Sequence, residues 1–204
     1  MLNKDIENNA LLIVVSAPSG TGKTTLCDSL CLSLPNVHRA VTCTTRVPRA
    51  DELDGVDYYF LNKHEFLARI QGCEFLENAI VHGNHYGVLK SEVRAKLAEG
   101  KDVLLNIDVQ GAAAIREAAK DDLVFKIALV TVFLCPPSLD ELERRLRGRG
   151  ENFEADIVRR LAIAKSEILQ KDLFDYTIIS GTREADLEAM QKVVQDVRID
   201  RNNR

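Results

Sequence analysis

The run Ala17-Pro18-Ser19-Gly20-Thr21-Gly22-Lys23-Thr24 carries the most specific chemistry in the chain. Its spacing is that of the phosphate loop G-x-x-x-x-G-K-[ST], with Ala17 in place of the first Gly. Small residues let successive backbone N–H groups turn inward as a nest for phosphate oxygens. A helix opening at Lys23 adds the positive end of its dipole. On this reading residues 17–25, Thr25 included, surround a nucleoside triphosphate. Lys23 reaches the β- and γ-phosphates, and the Thr24 hydroxyl is offered to Mg²⁺. Ala17 must then hold an ordinary backbone conformation, because a Cβ there does not tolerate a positive φ.

Further polar motifs follow in order. They are Thr44-Thr45-Arg46-x-x-Arg49, Gly55-x-Asp57-Tyr58-x-Phe60, Phe75-x-Glu77, Gly83-Asn84-x-Tyr86-Gly87 and Ile107-Asp108-x-Gln110-Gly111. Pro136-Pro137-Ser138 and Arg145-x-x-x-Arg149-Gly150 come later. Each motif after the phosphate loop is weak alone. As an ordered set over residues 12–179 they closely resemble the guanylate kinases. The resemblance implies transfer of the ATP γ-phosphoryl to GMP, with dGMP as a further acceptor. It also implies a GMP pocket in which Arg46, Arg49, Tyr58 and Tyr86 hold the phosphate, with help from the Thr42 hydroxyl. Glu77 and Asp108 would face the guanine. The chemistry agrees, because a carboxylate can accept from guanine N1–H and N2–H₂, a donor pair that adenine lacks. Adenine would leave a buried acceptor unpaired, at a cost of about 1–3 kcal/mol. Arginine forks suit phosphate, and tyrosine hydroxyls add donors without charge. Asp108, at the end of an apolar strand, has a second reading: it could hold Mg²⁺ through water. His82 and His85, without a metal-ligand set around them, read as turn or pocket-rim residues.

Arg144, Arg145, Arg147 and Arg149 crowd the segment 138–150. Ser138 and Glu141 have capping-box spacing, so a helix should start there. Glu141 with Arg145 and Glu143 with Arg147 are i,i+4 pairs, which explains Arg147 as part of a solvated face. Arg145 and Arg149 match the family's lid arginines, and Arg160 on the next helix matches a third. ATP and a monophosphate repel one another. Lys23, Arg46 and lid arginines would gather cations around the transferring group, and closure would exclude water. Three positions depart from the family pattern. Val88 stands where Ser or Thr is common beside the base, Asn106 where an acid commonly precedes Ile-Asp, and Ser180 where Asn often lies near adenine.

These residues need a scaffold. Residues 11–15 form an apolar run rich in β-branched side chains, as a buried parallel strand does. Further strands are expected over 103–107, 127–134 and 176–179. Helices are expected over 23–34, 90–99, 112–119, 138–147, 154–170 and 185–199. Strands alternating with helices indicate an α/β phosphate-loop core, a parallel sheet flanked by helices. That core spans 10–38 and 100–199, with a helical lid over about 138–160. Residues 39–99 comprise a small, partly β insert for the monophosphate, followed by one helix, and 1–9 a polar extension. Ligands of such sheets bind at the carboxyl edge of the strands.

Composition narrows the class. A net charge of −4 gives no footprint for nucleic acid or an anionic membrane. The longest apolar run is too short to span a bilayer, and the first nine residues lack a signal-peptide pattern. The five cysteines have no paired spacing and read as reduced thiols of a cytoplasmic protein. Cys27 and Cys31 read as packing residues rather than a metal pair. Two other readings make different demands. A non-catalytic guanylate-kinase-like binding module should have a degraded phosphate loop. A related sugar-phosphate kinase should lack Glu77 and the Thr-Thr-Arg-x-x-Arg set.

Overall fold

The computed structural model describes residues 9–148 and 153–203. From the N-terminus the elements are β1 (Leu12–Ser16), α1 (Lys23–Ser33), β2 (Val37–Arg39), β3 (Thr42–Thr44), β4 (Tyr58–Phe60), α2 (Lys63–Gln71), β5 (Phe75–Val81), β6 (Asn84–Leu89) and α3 (Lys90–Ala98). They continue as β7 (Asp102–Asn106), α4 (Val109–Lys120), α5 (Leu123–Ala128), β8 (Leu129–Cys135), α6 (Leu139–Arg147), α7 (Glu154–Ile168), β9 (Tyr176–Ile179) and α8 (Arg183–Asn202). A five-stranded sheet has the order β2-β7-β1-β8-β9. Its direction can be read from the ladder. Val103 N–H donates to Leu11 O and Ile107 N–H to Val15 O, so β7 and β1 advance together. β8 and β9 are also parallel. The β1 side chains are wholly buried, which is why that strand reads as an unbroken apolar run.

Backbone contacts divide the described chain into two units. One comprises residues 9–12, 38–105 and 110–129. It contains a mixed four-stranded sheet of order β4-β3-β6-β5. One face of that sheet packs Cys43, Phe75 and Leu89 against Phe66 of α2, with Tyr59, Leu61 and Ile70 around them. Phe66 and Phe75 stack with ring centroids 4.4 Å apart. α2 begins at a capping box: Asn62 accepts from Glu65 N–H, and the Glu65 carboxylate accepts from Asn62 N–H.

The other unit comprises 13–37, 106–109, 130–148 and 153–203. Here α6 and α7 form a helix pair around Leu142, Leu146, Ala164 and Leu161. Ser138 accepts from Glu141 N–H and starts α6 as expected. The Glu141 carboxylate, however, is taken by Arg144 and Arg145. Both i,i+4 pairs form, Glu141–Arg145 at 2.8 Å and Glu143–Arg147 at 2.7 Å. No described helix is long and apolar enough to cross a membrane.

Two expectations about elements need correction. The strand expected from Ile127 begins at Leu129, because Asp122 caps a short helix, α5, that runs to Ala128. α2 lies inside the small, partly β insert, where no helix is expected before residue 90, although its capping signal Asn62-x-x-Glu65 is present in the sequence.

Candidate active site

The phosphate loop joins β1 to α1. Gly20 has φ 95° and Gly22 φ 107°, a region that suits glycine. A Cβ at Gly20 would also lie 2.7 Å from the Leu146 side chain of α6. Among the described non-glycine residues only Cys73 and His82 have positive φ, so Ala17 keeps the ordinary backbone that its Cβ requires. Gly22 is the N-cap of α1 and supplies no side chain to the first turn. The N–H groups there remain open to an anion.

Lys23 Nζ donates to Ile107 O at 2.6 Å, anchoring the ammonium to the end of β7. Burial holds its pKa below the usual lysine range, partly offset by Cys27, Asp108 and Glu167. A cavity of about 360 Å³ lies beside the loop. Lys23, Thr24, Asn106, Asp108 and Glu167 line it. Asn106 Nδ2 stands 3.4 Å from Thr24 Oγ1. Burial raises the Glu167 carboxyl above its ordinary range, and Asp108 adds to this against the lowering effect of Lys23. Glu167 was missed by the sequence reading: it is one acid on a helix 15 residues long, and only the fold brings it to Lys23. The Thr24 hydroxyl and the Asp108 and Glu167 carboxylates are hard oxygen donors, a set that fits Mg²⁺ shared with phosphates. Among the described residues no group of three or more His, Cys, Asp or Glu could hold a metal unaided.

Arginines reach this region from α6 and α7. Arg160 Nη1 stands 3.4 Å from Ser19 Oγ. Arg145 donates through Nη1 to Thr21 O at 3.1 Å and to Ser180 Oγ at 3.0 Å, and through Nε to Glu141 at 2.8 Å. Arg145 thus already stands at the phosphate loop. Arg147 pairs with both Glu143 and Glu154, as a solvated residue would. Arg149 lies outside the described residues.

The monophosphate candidates lie in the other unit, and its sheet gathers most of them by register. Thr42 pairs with Tyr58, Thr44 with Tyr86, Ala79 with Tyr86 and Glu77 with Val88. Alternation along each strand puts Thr42, Tyr58, Tyr86 and Val88 on one face, opposite the Cys43–Phe75–Leu89 cluster. Glu77 should share a face with Phe75, two residues before it. A β-bulge between Phe75 and Glu77 inserts an extra residue, so Glu77 joins Val88 on the face of the tyrosines. Glu77 is only 8% exposed.

The Tyr58 and Tyr86 rings meet edge to face, 6.1 Å apart. The Arg46 guanidinium lies 5.4 Å from the Tyr58 ring centre. Its Nη2 bonds both Glu52 oxygens, at 2.7 and 2.9 Å, and Nη1 donates to Val47 O. Glu52 also accepts from Arg49 N–H at 2.8 Å. The bond from Arg46, and after it that from the Arg49 backbone, keep the Glu52 carboxyl below its ordinary range. Glu52 was not singled out from the sequence; a lone acid in a charged loop carries no signal of its own. Arg49 is exposed at the start of that turn. Asp108 falls in the unit of the phosphate loop, among the residues lining the Lys23 cavity.

A parallel sheet with a phosphate loop between its buried first strand and the following helix defines a phosphate-loop nucleotide-binding protein. A family model described as guanylate kinase matches residues 9–197, and the chain belongs to that family. It is 39% identical to a guanylate kinase of Clostridium perfringens (strain SM101 / Type A), over 98% of this chain and 91% of that protein. It is 42% identical to the guanylate kinase of Thermotoga maritima, over 93% and 87% of the two chains. The crystal structure of guanylate kinase from Anaplasma phagocytophilum superposes with a TM-score of 0.68 at 30% identity, covering 94% of this chain and 87% of that one.

Proposed function

We propose that the protein transfers the γ-phosphoryl of ATP to GMP, and to dGMP, giving ADP and the nucleoside diphosphate. The observation that carries the acceptor assignment is the bulge that turns Glu77 onto the face of Tyr58 and Tyr86. A nearly buried carboxylate there can accept from guanine N1–H and N2–H₂. Arg46, Arg49, Tyr58, Tyr86 and Thr42 supply donors for the phosphate, while Asp108, which lines the Lys23 cavity, is read as a Mg²⁺ partner rather than a guanine one. The family's use of ATP and GMP supports the same reading.

On the donor side, the loop N–H groups, the α1 N-terminus and Lys23 hold the triphosphate, and Thr24 with Asp108 would hold Mg²⁺. When bound, Mg²⁺ neutralises phosphate charge and orients the terminal phosphoryl group. Arg160 and Arg149 add positive charge as negative charge shifts toward the leaving oxygen, and Arg145 lines the larger cavity beside the same loop. A GMP phosphate oxygen attacks the γ-phosphorus in line, and the bond to the β–γ bridging oxygen breaks. No covalent enzyme intermediate and no strong base are needed, because the attacking phosphate oxygen is already anionic. No disulfide joins the five cysteines, which supports a cytoplasmic setting.

ADP release coupled to a second enzyme tests the reading, with Mg²⁺, ATP and GMP, dGMP, AMP, UMP or no acceptor. Turnover with GMP and dGMP, and little with the others, is expected. In the same assay Glu77→Gln should raise the GMP KM by about tenfold or more, the loss of one buried hydrogen bond to a charged group. An ATP KM that rises as much would remove Glu77 from the guanine.

A further inference from the structure

A second cavity, of about 550 Å³, also borders the phosphate loop. Thr21, Gly22, Thr25, Arg145, Gly181 and Asp186 are among its walls. Asp186 lies in the first turn of α8 and is 7% exposed. A carboxylate at that depth must find donors. It accepts from the Ser180 hydroxyl at 2.9 Å and from Gly181 N–H at 2.7 Å. It is not the helix cap: that is Thr182, whose hydroxyl accepts from Ala185 N–H.

Ser180 is the hinge of the arrangement. It is 2% exposed, and its oxygen accepts from Arg145 Nη1 at 3.0 Å. Its single proton has two possible acceptors, Asp186 Oδ2 at 2.9 Å and Thr21 O at 3.3 Å. The shorter, charge-assisted bond wins. A chain therefore runs from the Arg145 cation through one hydroxyl to the Asp186 anion. Arg145 Nη2 stands 3.4 Å from Gly181 O, so the turn whose N–H Asp186 fixes also meets the guanidinium.

We propose that Asp186 is a positioning residue for the phosphoryl donor: through Ser180 it holds Arg145 and the Gly181 turn as walls of the cavity that receives the donor's nucleoside. The proposal rests on the phosphoryl-transfer reading above. The cavity adjoins the loop assigned to the triphosphate, and its walls include a guanidinium and the turn at Gly181. A flat guanidinium stacks well on a planar base. Holding it in place before the nucleotide arrives removes an ordering cost from binding.

The test compares Asp186→Ala, Ser180→Ala and Asp186→Asn with the wild type. ATP and inorganic tripolyphosphate binding are measured by calorimetry without acceptor, the KM values for ATP and GMP by kinetics, and the melting temperature alongside. Asp186→Ala and Ser180→Ala should weaken ATP binding and raise its KM about tenfold, the scale of one lost hydrogen bond to a charged group. Tripolyphosphate binding and the GMP KM should change by less than about twofold, within ordinary surface effects. Asp186→Asn should recover most of the loss: its Oδ1 accepts from Gly181 N–H, and its Nδ2 donates to Ser180, whose proton then turns to Thr21 O. ATP binding unchanged in Ser180→Ala overturns the proposal. So does a rise in the ATP and GMP KM values together with a falling melting temperature. If Asp186→Ala fails to fold, Ser180→Ala and Asp186→Asn decide. A wild type that binds ATP but phosphorylates no GMP overturns the proposed function, and the inference is then judged on ATP and tripolyphosphate binding and the melting temperature.

Discussion

At Lys23, two physical demands oppose one another. Burial disfavours its ammonium, while Cys27, Asp108 and Glu167 favour it, and a 2.6 Å bond to Ile107 O holds it in line. Such a charge is costly until phosphates arrive, and then it is worth most, because the same desolvation strengthens its attraction to anions. On the proposed reading, replacing it by a neutral chain of similar length should therefore remove catalysis without removing a stabilising group. Lys23→Met should lower kcat by about 10³-fold or more, on the scale of other cationic groups lost from phosphoryl-transfer sites. Its melting temperature should stay within a few degrees of wild type. Single-turnover kinetics and calorimetry check both. Near-normal turnover would detach the phosphate loop from the chemistry.

Among the elements, the β5–β6 pair bears most on the proposed acceptor site. Its bulge places Glu77, and a close approach at Gly87 keeps it there. A Cβ on Gly87 would lie 2.8 Å from the Phe75 ring, 3.0 Å from Glu77 O and 3.1 Å from Asn78 Cβ. Two of those atoms are backbone or next to it and cannot swing aside. Gly87→Ala should thus destabilise the fold by about 1–3 kcal/mol, the usual cost of overpacking. It should also displace Glu77, raising the GMP KM while leaving the ATP KM near wild type. Chemical denaturation with steady-state kinetics separates the two effects. A stable Gly87→Ala with unchanged GMP KM would show that the strand pair has slack at this point. The α6–α7 pair plays the corresponding part for the proposed donor site, since Leu146 and Arg145 of α6 meet Gly20 and Thr21 O, and Arg160 of α7 stands beside Ser19.

For the whole molecule, the groups proposed for donor and acceptor belong to separately packed units, each with a hydrophobic cluster of its own. Ligands should therefore leave distinct footprints in amide exchange, because a bound group suppresses local opening where it binds. GMP alone should slow exchange in β3, β5 and β6. ATP with Mg²⁺ should slow it in residues 17–25 and 180–186. Protection by GMP confined to the phosphate loop would reverse the assignment of acceptor and donor.

Some of this was written locally. The phosphate loop is contiguous, and its function follows from backbone conformation and one lysine. Ser138 and its Glu–Arg pairs lie within about three helical turns, so capping and i,i+4 rules reach them. The buried strands announce themselves because parallel strands covered on both faces must be apolar throughout. Other features depend on pairing between distant segments. Strict alternation puts Glu77 with Phe75 in the core, and only a bulge read against β6 turns it outward. Glu167, Glu52 and Asp186 are single acids with no motif around them. Each gains its meaning from a partner elsewhere: Lys23 for Glu167, Arg46 for Glu52, and Arg145 through Ser180 for Asp186. Sequence determines what local hydrogen bonding and periodicity can dictate. Which charges meet is decided by tertiary packing, because a buried charge is tolerated only where the fold delivers its counterpart.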